Sequence, residues 1–383
     1  MLRALGRLAL CSSLALAASC DGSGKGSDLV AVVFRVHVPA STPPGDHVYL
    51  AGDFQGWDPG SPEWVLAEVA PLTFALTRTF PRGTRIELKI TRGSWATVEK
   101  GSRGEEVPNR VFEVVAPTEF DLTVGSWADQ STSTVVGDVA QTSAPGFLGG
   151  RRIWVYLPPG YHQTTDRYPV LYMFDGQNVF DFATSFAGEW KVDETLEALV
   201  PAGETSPLLV VAIDHAGSGR IDEYTPWMDA GDGGGGAAHL AAIADVLVPW
   251  VDATYRTLGG PGQTGIGGAS LGGLMALYAV YARPDVFGLG LAMSPSIWWA
   301  SLAVVDFAAG SPRPAARVWM DMGTAEYASA IDDLRAMRDA MVAQGFVLGA
   351  DLVVVEDPGA AHNEAAWSRR FPDAARYLFP PPP

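Results

Sequence analysis

Residues 261–282 read PGQTGIGGASLGGLMALYAVYA. Before the serine, residues 264–268 are small and apolar, which predicts a short buried strand. After it, Leu271, Leu274, Met275, Leu277, Tyr278 and Tyr281 recur at helical spacing and predict a helix over 271–282. A serine at that junction, set as Gly268-Ala269-Ser270-Leu271-Gly272, has a definite physical consequence. The turn is tight, so the serine backbone is strained and its flanking positions leave no room for a bulky Cβ. The strain lifts the hydroxyl off the sheet. It also places the Leu271 N–H in the first turn of a helix, where partial positive charge stabilises an oxyanion. The plainer alternative is a Gly-rich turn in which Ser270 only caps a packing helix.

The flanking sequence decides between the two. Apolar strands are predicted at 152–157, 170–174, 207–213, 290–293, 317–322 and 352–355, with helices at 193–199, 237–257 and 328–344. Gly345 follows the last of these helices as a left-handed cap. Unbroken apolar strands alternating with helices bury both faces of a parallel sheet. With the serine turn inside it, this is an α/β hydrolase, a mostly parallel sheet covered by helices on both faces, over residues 135–380. Its site lies at the C-terminal ends of the strands.

The chain order expected of such a site is serine, acid, histidine. Of the six histidines only His362 follows Ser270, in GAAHNEAAW after the final strand. That order makes Ser270 the nucleophile and His362 its base. The acid is open between Asp321, inside a strand, and Glu326, in the loop beyond it, and the loop position favours Glu326. An oxyanion hole needs two backbone donors, for which Leu271 and Gln177 are the candidates. Gly176 lets the Gln177 backbone approach. Arg220, Tyr224, Trp190 and Trp298 are candidate walls of a substrate cleft, and Gly231 to Gly236 read as a mobile flap. No metal-ligand spacing and no cofactor motif is present, so neither a metal nor a cofactor is expected.

Residues 29–127 have another pattern. Val30, Val32, Phe34 and Val36 alternate with less apolar neighbours, and short runs at 47–50, 74–80, 85–91, 110–115 and 119–124 follow between Pro and Gly clusters. This predicts a small antiparallel β-sandwich preceding the hydrolase, with the polar segment ADQSTST, residues 128–134, as linker. Trp57 in Gly-Trp-Asp-Pro and Trp95 after Gly93-Ser94 are indoles in turns, hard to bury and easy to present. Trp64, in Trp-Val-Leu, reads as facing the core.

Arg3 and Arg7, an apolar run over 8–18 and the small residues Ala17-Ala18-Ser19 before Cys20 predict a lipoprotein-type signal peptide over 1–19. Cys20 is then the lipidation candidate and residues 20–28 a flexible tether. Cys11 is removed with the peptide, so no intrachain disulfide is expected. The chain of 383 residues carries a net charge of −17, which excludes nucleic acid and anionic membrane surfaces as partners. Membrane contact is expected only through the lipid anchor, in a secreted or cell-envelope protein.

Two resemblances bear on function. YPVLYMFDGQNVFD, GEWKVDETLEALV, RIDEYTPW, GGASLGGLMALYAVYARPDVFG, SPSIWW, DMGTAEY and AHNEAAWSRRFP resemble the esterase family that includes esterase D, feruloyl and acetyl-xylan esterases and enterobactin-type siderophore esterases. The resemblance implies a serine ester hydrolase with Ser270, Glu326 and His362 as its triad, the GTAE loop matching the family's acid position. Residues 48–69 and 87–114 resemble the starch-binding domains of family 20 carbohydrate-binding modules. That resemblance implies an α-glucan partner stacked on Trp57 and Trp95, beside a small-molecule or glycan ester as substrate. The alternatives are acyl transfer on the same scaffold and a surface carbohydrate-binding lipoprotein with an incidental hydrolase domain.

Overall fold

Eight strands build the sheet that carries Ser270. Their spatial order is Asp138–Ser143, Arg152–Leu157, Leu209–Ile213, Val170–Phe174, Thr264–Ala269, Leu289–Met293, Arg317–Gly323, Leu352–Asp357. The first two pairings are antiparallel and all later ones parallel. This computed structural model describes residues 28–381 apart from 103, 105–106, 131–132 and 186–187, so the signal peptide, Cys20 and nearly all of the tether lie outside the described residues.

Side-chain alternation sorts each central strand between two cores. Tyr172 and Phe174 face one, with Leu247, Leu274 and Leu334 from the helical segments Gly236–Thr254, Leu271–Ala282 and Ala330–Ala343. Leu171 and Met173 face the other, with Leu196 and Phe371 from Val192–Leu199 and Glu364–Leu378. Each such side chain contributes roughly 1.5–3 kcal/mol by leaving water. Gly345 has φ +98° and ends its helix in the left-handed conformation. The long helix widens into a π turn over Ile243–Leu247 just before Pro249, which has no N–H to continue the α ladder. The Gly231–Gly236 run is not a free flap: Gly234 and Gly236 both donate their N–H to the Thr225 carbonyl, at 3.0 Å each.

In the N-terminal region seven strands pair in the order Arg110–Val114, Thr84–Thr91, Val48–Gly52, Val65–Ala70, Thr73–Pro81, Leu29–His37, Thr118–Thr123. Val65–Ala70 bridges the two halves through a bulge at Glu68. The sheet doubles over, and Val32 and Phe34 from one half share a core with Leu50 and Ile90 from the other. One pair, Leu29–His37 with Thr118–Thr123, is parallel rather than antiparallel. Trp64 lies half-buried on Phe54, centroids 4.1 Å apart.

Ser133 and Thr134, from the polar stretch between the two regions, are bonded to the second one. Ser133 Oγ donates to Asp181 at 2.9 Å and Thr134 Oγ1 to Glu189 at 2.9 Å. Beside them, burial pushes Glu189 up to about 7. Burial, with the neighbouring Glu194 carboxylate adding to it, pushes Asp193 up to about 8. Unfolded carboxylates release their protons near pH 4, so the folded state binds more protons from there up to these values. Stability that is fully present below about pH 4 is therefore lost as pH rises through about 8. The melting temperature of the wild type is expected to fall by several degrees between about pH 6.5 and about pH 8.5, above the range in which His215 and His239, both held below their ordinary values by burial, oppose the trend. Asp193→Asn retains an acceptor for the Val136 N–H, now at 2.8 Å, and is expected to flatten that fall; equal slopes in calorimetry would contradict it.

Candidate active site

The elbow is strained as its sequence requires. Ser270 has φ 58° and ψ −125°, a conformation that costs an L-residue on the order of 1–3 kcal/mol. Three backbone bonds hold it there: Ser270 N–H to the Met293 carbonyl at 3.1 Å, and the Ser270 carbonyl to the N–H groups of Leu274 and Ser296 at 3.0 Å each. A Cβ on Gly272 would lie 3.0 Å from Phe174 Cβ, so the strand cannot approach the helix this closely with a larger residue. The Ser270 hydroxyl is 3.3 Å from that of Ser296. No hydrogen bond joins it to His362 among the described residues.

His362 Nδ1 is 2.7 Å from Glu326 Oε2. The other oxygen, Oε1, accepts from Ser294 Oγ and from the Gly323 N–H, at 2.6 Å each. Burial raises the Glu326 carboxyl, but the hydrogen bonds from His362, Ser294 and Gly323 outweigh it and hold the group below its ordinary range. An ionised carboxylate only accepts, so the His362 proton sits on Nδ1 and Nε2 keeps its lone pair. The ring stands edge-on to Trp367 at 5.1 Å.

Asp321 lies apart from His362 in this network. It accepts from Trp319 Nε1 at 2.7 Å and the Ser294 N–H at 3.2 Å, and pairs with Arg370 Nη2 at 3.0 Å. Complete burial pushes it up to about 6 against the pull of Arg370. Ser294 joins both carboxylates. Its hydroxyl accepts from Trp367 Nε1 at 2.9 Å and Arg370 Nη2 at 2.8 Å, which spends both lone pairs and leaves its one proton for Glu326. Ser294, Trp367 and Arg370 were not singled out from sequence. The available signals were the SPS after a strand end and a tryptophan and arginine one helical turn apart behind His362.

On the oxyanion side, the strand Val170–Phe174 is the elbow strand's neighbour and ends at Asp175-Gly176-Gln177-Asn178. A Cβ on Gly176 would lie 2.7 Å from the Ala212 backbone, which fixes glycine there. Asp175 has φ 57°, and Arg220 grips its carboxylate bidentately at 2.7 and 2.8 Å. Burial raises Asp175, but the charge and hydrogen bonds of Arg220, with His215 and Gln177 adding to them, together outweigh it and hold the group below its ordinary range. Gln177 is buried. The Leu271 N–H heads its helix, where no intrahelical acceptor exists for it.

Two proposed cleft residues are placed otherwise. Tyr224 is fully buried beneath the loop, its hydroxyl accepting from the Asp175 N–H at 3.0 Å. Trp190 is core, packed on Trp367 at 5.6 Å. Both are aromatic residues whose apolar bodies find more contact inside than on a wall. Trp298 is 45% exposed beside Trp299. Trp57 and Trp95 are half-buried rather than exposed, because they face the second region across a cavity that also borders Arg220.

The fold is similar to that of the enterobactin esterase of Shigella flexneri, with a TM-score of 0.52 at 16% identity over 87% of each chain. The Iron(III) enterobactin esterase of Dickeya dadantii is 32% identical over 158 residues, 41% of this chain and 33% of that one. The N-terminal region is similar to part of an alpha-amylase of Niallia circulans, 40% identical over 100 residues, which are 26% of this chain and 8% of the amylase. Residues 148–378, more than half of the chain, match the family described as Putative esterase, so the chain belongs to that esterase family and is a carboxylic ester hydrolase.

Proposed function

We propose that this protein is a serine esterase that cleaves an ester carried on a carbohydrate through an acyl-enzyme. The observation that carries the mechanism is the 2.7 Å bond between Glu326 and His362, the one histidine downstream of the strained Ser270. His362 Nε2 takes the Ser270 proton as Oγ attacks the ester carbonyl, once the hydroxyl has left Ser296. The N–H groups of Leu271 and Gln177 receive the oxyanion. As the tetrahedral intermediate collapses, the bond to the alcohol oxygen breaks and His362 returns the proton to it. Water, deprotonated by His362, then attacks the acyl-enzyme, and the carboxylic acid leaves with Ser270 restored.

The likeness of the N-terminal region to a starch-degrading enzyme supports a carbohydrate ester. Among acetylated sugars, feruloyl esters and ferric trilactone siderophores, the acetylated sugars are expected to give the highest kcat/KM. A trilactone at the head of that ranking would overturn the substrate class. With an activated phenyl ester, rapid mixing is expected to release about one equivalent of phenol in a burst before the steady state. Activity without a burst, under conditions where deacylation is slow, would contradict the acyl-enzyme.

The address is part of the same proposal: a lipid-anchored protein of the cell envelope, held through Cys20. Two acyl chains on a diacylglyceryl cysteine suffice for stable anchoring where one is marginal. Cys20→Ser is expected to move the protein from membranes to the soluble fraction, and unchanged partitioning would leave plain secretion.

A further inference from the structure

A cavity of about 280 Å³ opens between the two regions of the chain. Trp57, Trp95 and Asn109 border it from the N-terminal side, and His215 and Arg220 from the esterase side. It lies just under the range of ligand-site volumes, ~300 to ~1,000 Å³, and has room for one small ring. The two indoles stand 6.4 Å apart, tilted by 38°, and offer apolar faces to one occupant. Trp57 is held at φ 60°, its N–H bonded to the Gly52 carbonyl at 2.9 Å. A bulky residue at positive φ is costly, and such strain gathers at sites where a side chain must be presented.

The opposite wall is the segment from His215 to Ile221, which braces the oxyanion loop. Arg220 holds Asp175, and the His215 N–H is 3.4 Å from Gln177 Oε1. Both cations on the walls are committed, Arg220 to the Asp175 carboxylate and Lys89 to the Val107 carbonyl. The cavity thus combines indole faces with polar edges and carries little charge for an anion. Away from the cavity, the fully buried Lys100 of the N-terminal region ties the two regions together: it donates to the Ser185 carbonyl at 3.0 Å and lies 4.1 Å over the Phe182 ring. A pyranose suits this arrangement, with C–H faces for the indoles and hydroxyls for the amide and imidazole edges.

We infer that this cavity is one sugar subsite built by both regions, which holds the pyranose of a glycosyl ester against the segment that braces the oxyanion loop. The inference rests on the carbohydrate-ester reading above and changes its form. The tryptophans are not a separable starch anchor; they share their sugar with the esterase wall at His215 and Arg220.

Titration calorimetry of the full mature chain with maltotriose tests this. Trp57→Ala and Trp95→Ala are each expected to weaken binding on the order of tenfold. The deciding variant is Ser218→Trp, which changes only the esterase wall and fills the cavity. It is expected to weaken maltotriose binding at least as much, with an unchanged melting curve. Ile221→Trp on the same wall gives the same test if Ser218→Trp does not fold. Wild-type affinity in a folded esterase-wall variant would overturn the shared subsite and leave glucan binding to the N-terminal region alone. No maltotriose binding by the wild type would overturn the glucan reading, and the shared subsite with it.

Discussion

Alanine at Ser270 is expected to lower kcat by roughly 10⁴–10⁶-fold on every ester, and alanine at His362 by a similar factor. The double variant should be little worse than either, because in the proposed mechanism the two residues act as one unit in proton transfer and attack. Neither change is expected to unfold the protein. Alanine at 270 inherits φ 58° and so keeps the strain. Glycine there is free of it, so Ser270→Gly should be as inactive as Ser270→Ala yet melt higher, by about 1 kcal/mol of stability or more. Equal melting temperatures would mean that the elbow stores no strain.

The second large effect separates the two carboxylates. In Glu326→Gln, the carbonyl oxygen still accepts from Ser294 and Gly323. The new amide then faces His362 Nδ1 as a donor and drives the proton to Nε2, where the base is needed. A loss of about 10⁴-fold in kcat is expected with little loss of stability. Asp321→Asn removes the nearest charge partner of the buried Arg370 and leaves it Asp357 at 3.4 Å and Glu326 at 4.0 Å. Loosening a buried ion-pair cluster costs less than stranding its cation outright, which takes on the order of 3–5 kcal/mol, so Asp321→Asn should melt lower while the folded fraction keeps most of its kcat. Steady-state kinetics beside calorimetry reads both. The opposite ranking in folded proteins would make Asp321 the acid.

The parts of this site that follow from local pattern were legible in the sequence. The elbow is a strand, a glycine-flanked serine and a helix in succession, and His362 follows from chain order alone. The carboxylate bonded to His362 is Glu326, the residue favoured by its place beyond the strand. What could not be read depends on contacts distant in sequence. Ser294 matters because Trp367 and Arg370, more than seventy residues on, aim their donors at its hydroxyl. Trp190 sits in a stretch with no period to distinguish a wall from a core. Asp138–Ser143 is a polar edge strand with no apolar alternation to mark it. Alternation also carries no direction, so the parallel pairing of Leu29–His37 with Thr118–Thr123 was invisible. The turns around Trp57 and Trp95 announced presented indoles but not what they face.

The most direct test of the central claim is to treat the mature protein with a fluorophosphonate and map the adduct by mass spectrometry. The mechanism predicts one covalent adduct, on Ser270, formed as esterase activity is lost and greatly slowed in Glu326→Gln. Full loss of activity with the adduct on another residue, or full activity with Ser270 modified, would contradict it.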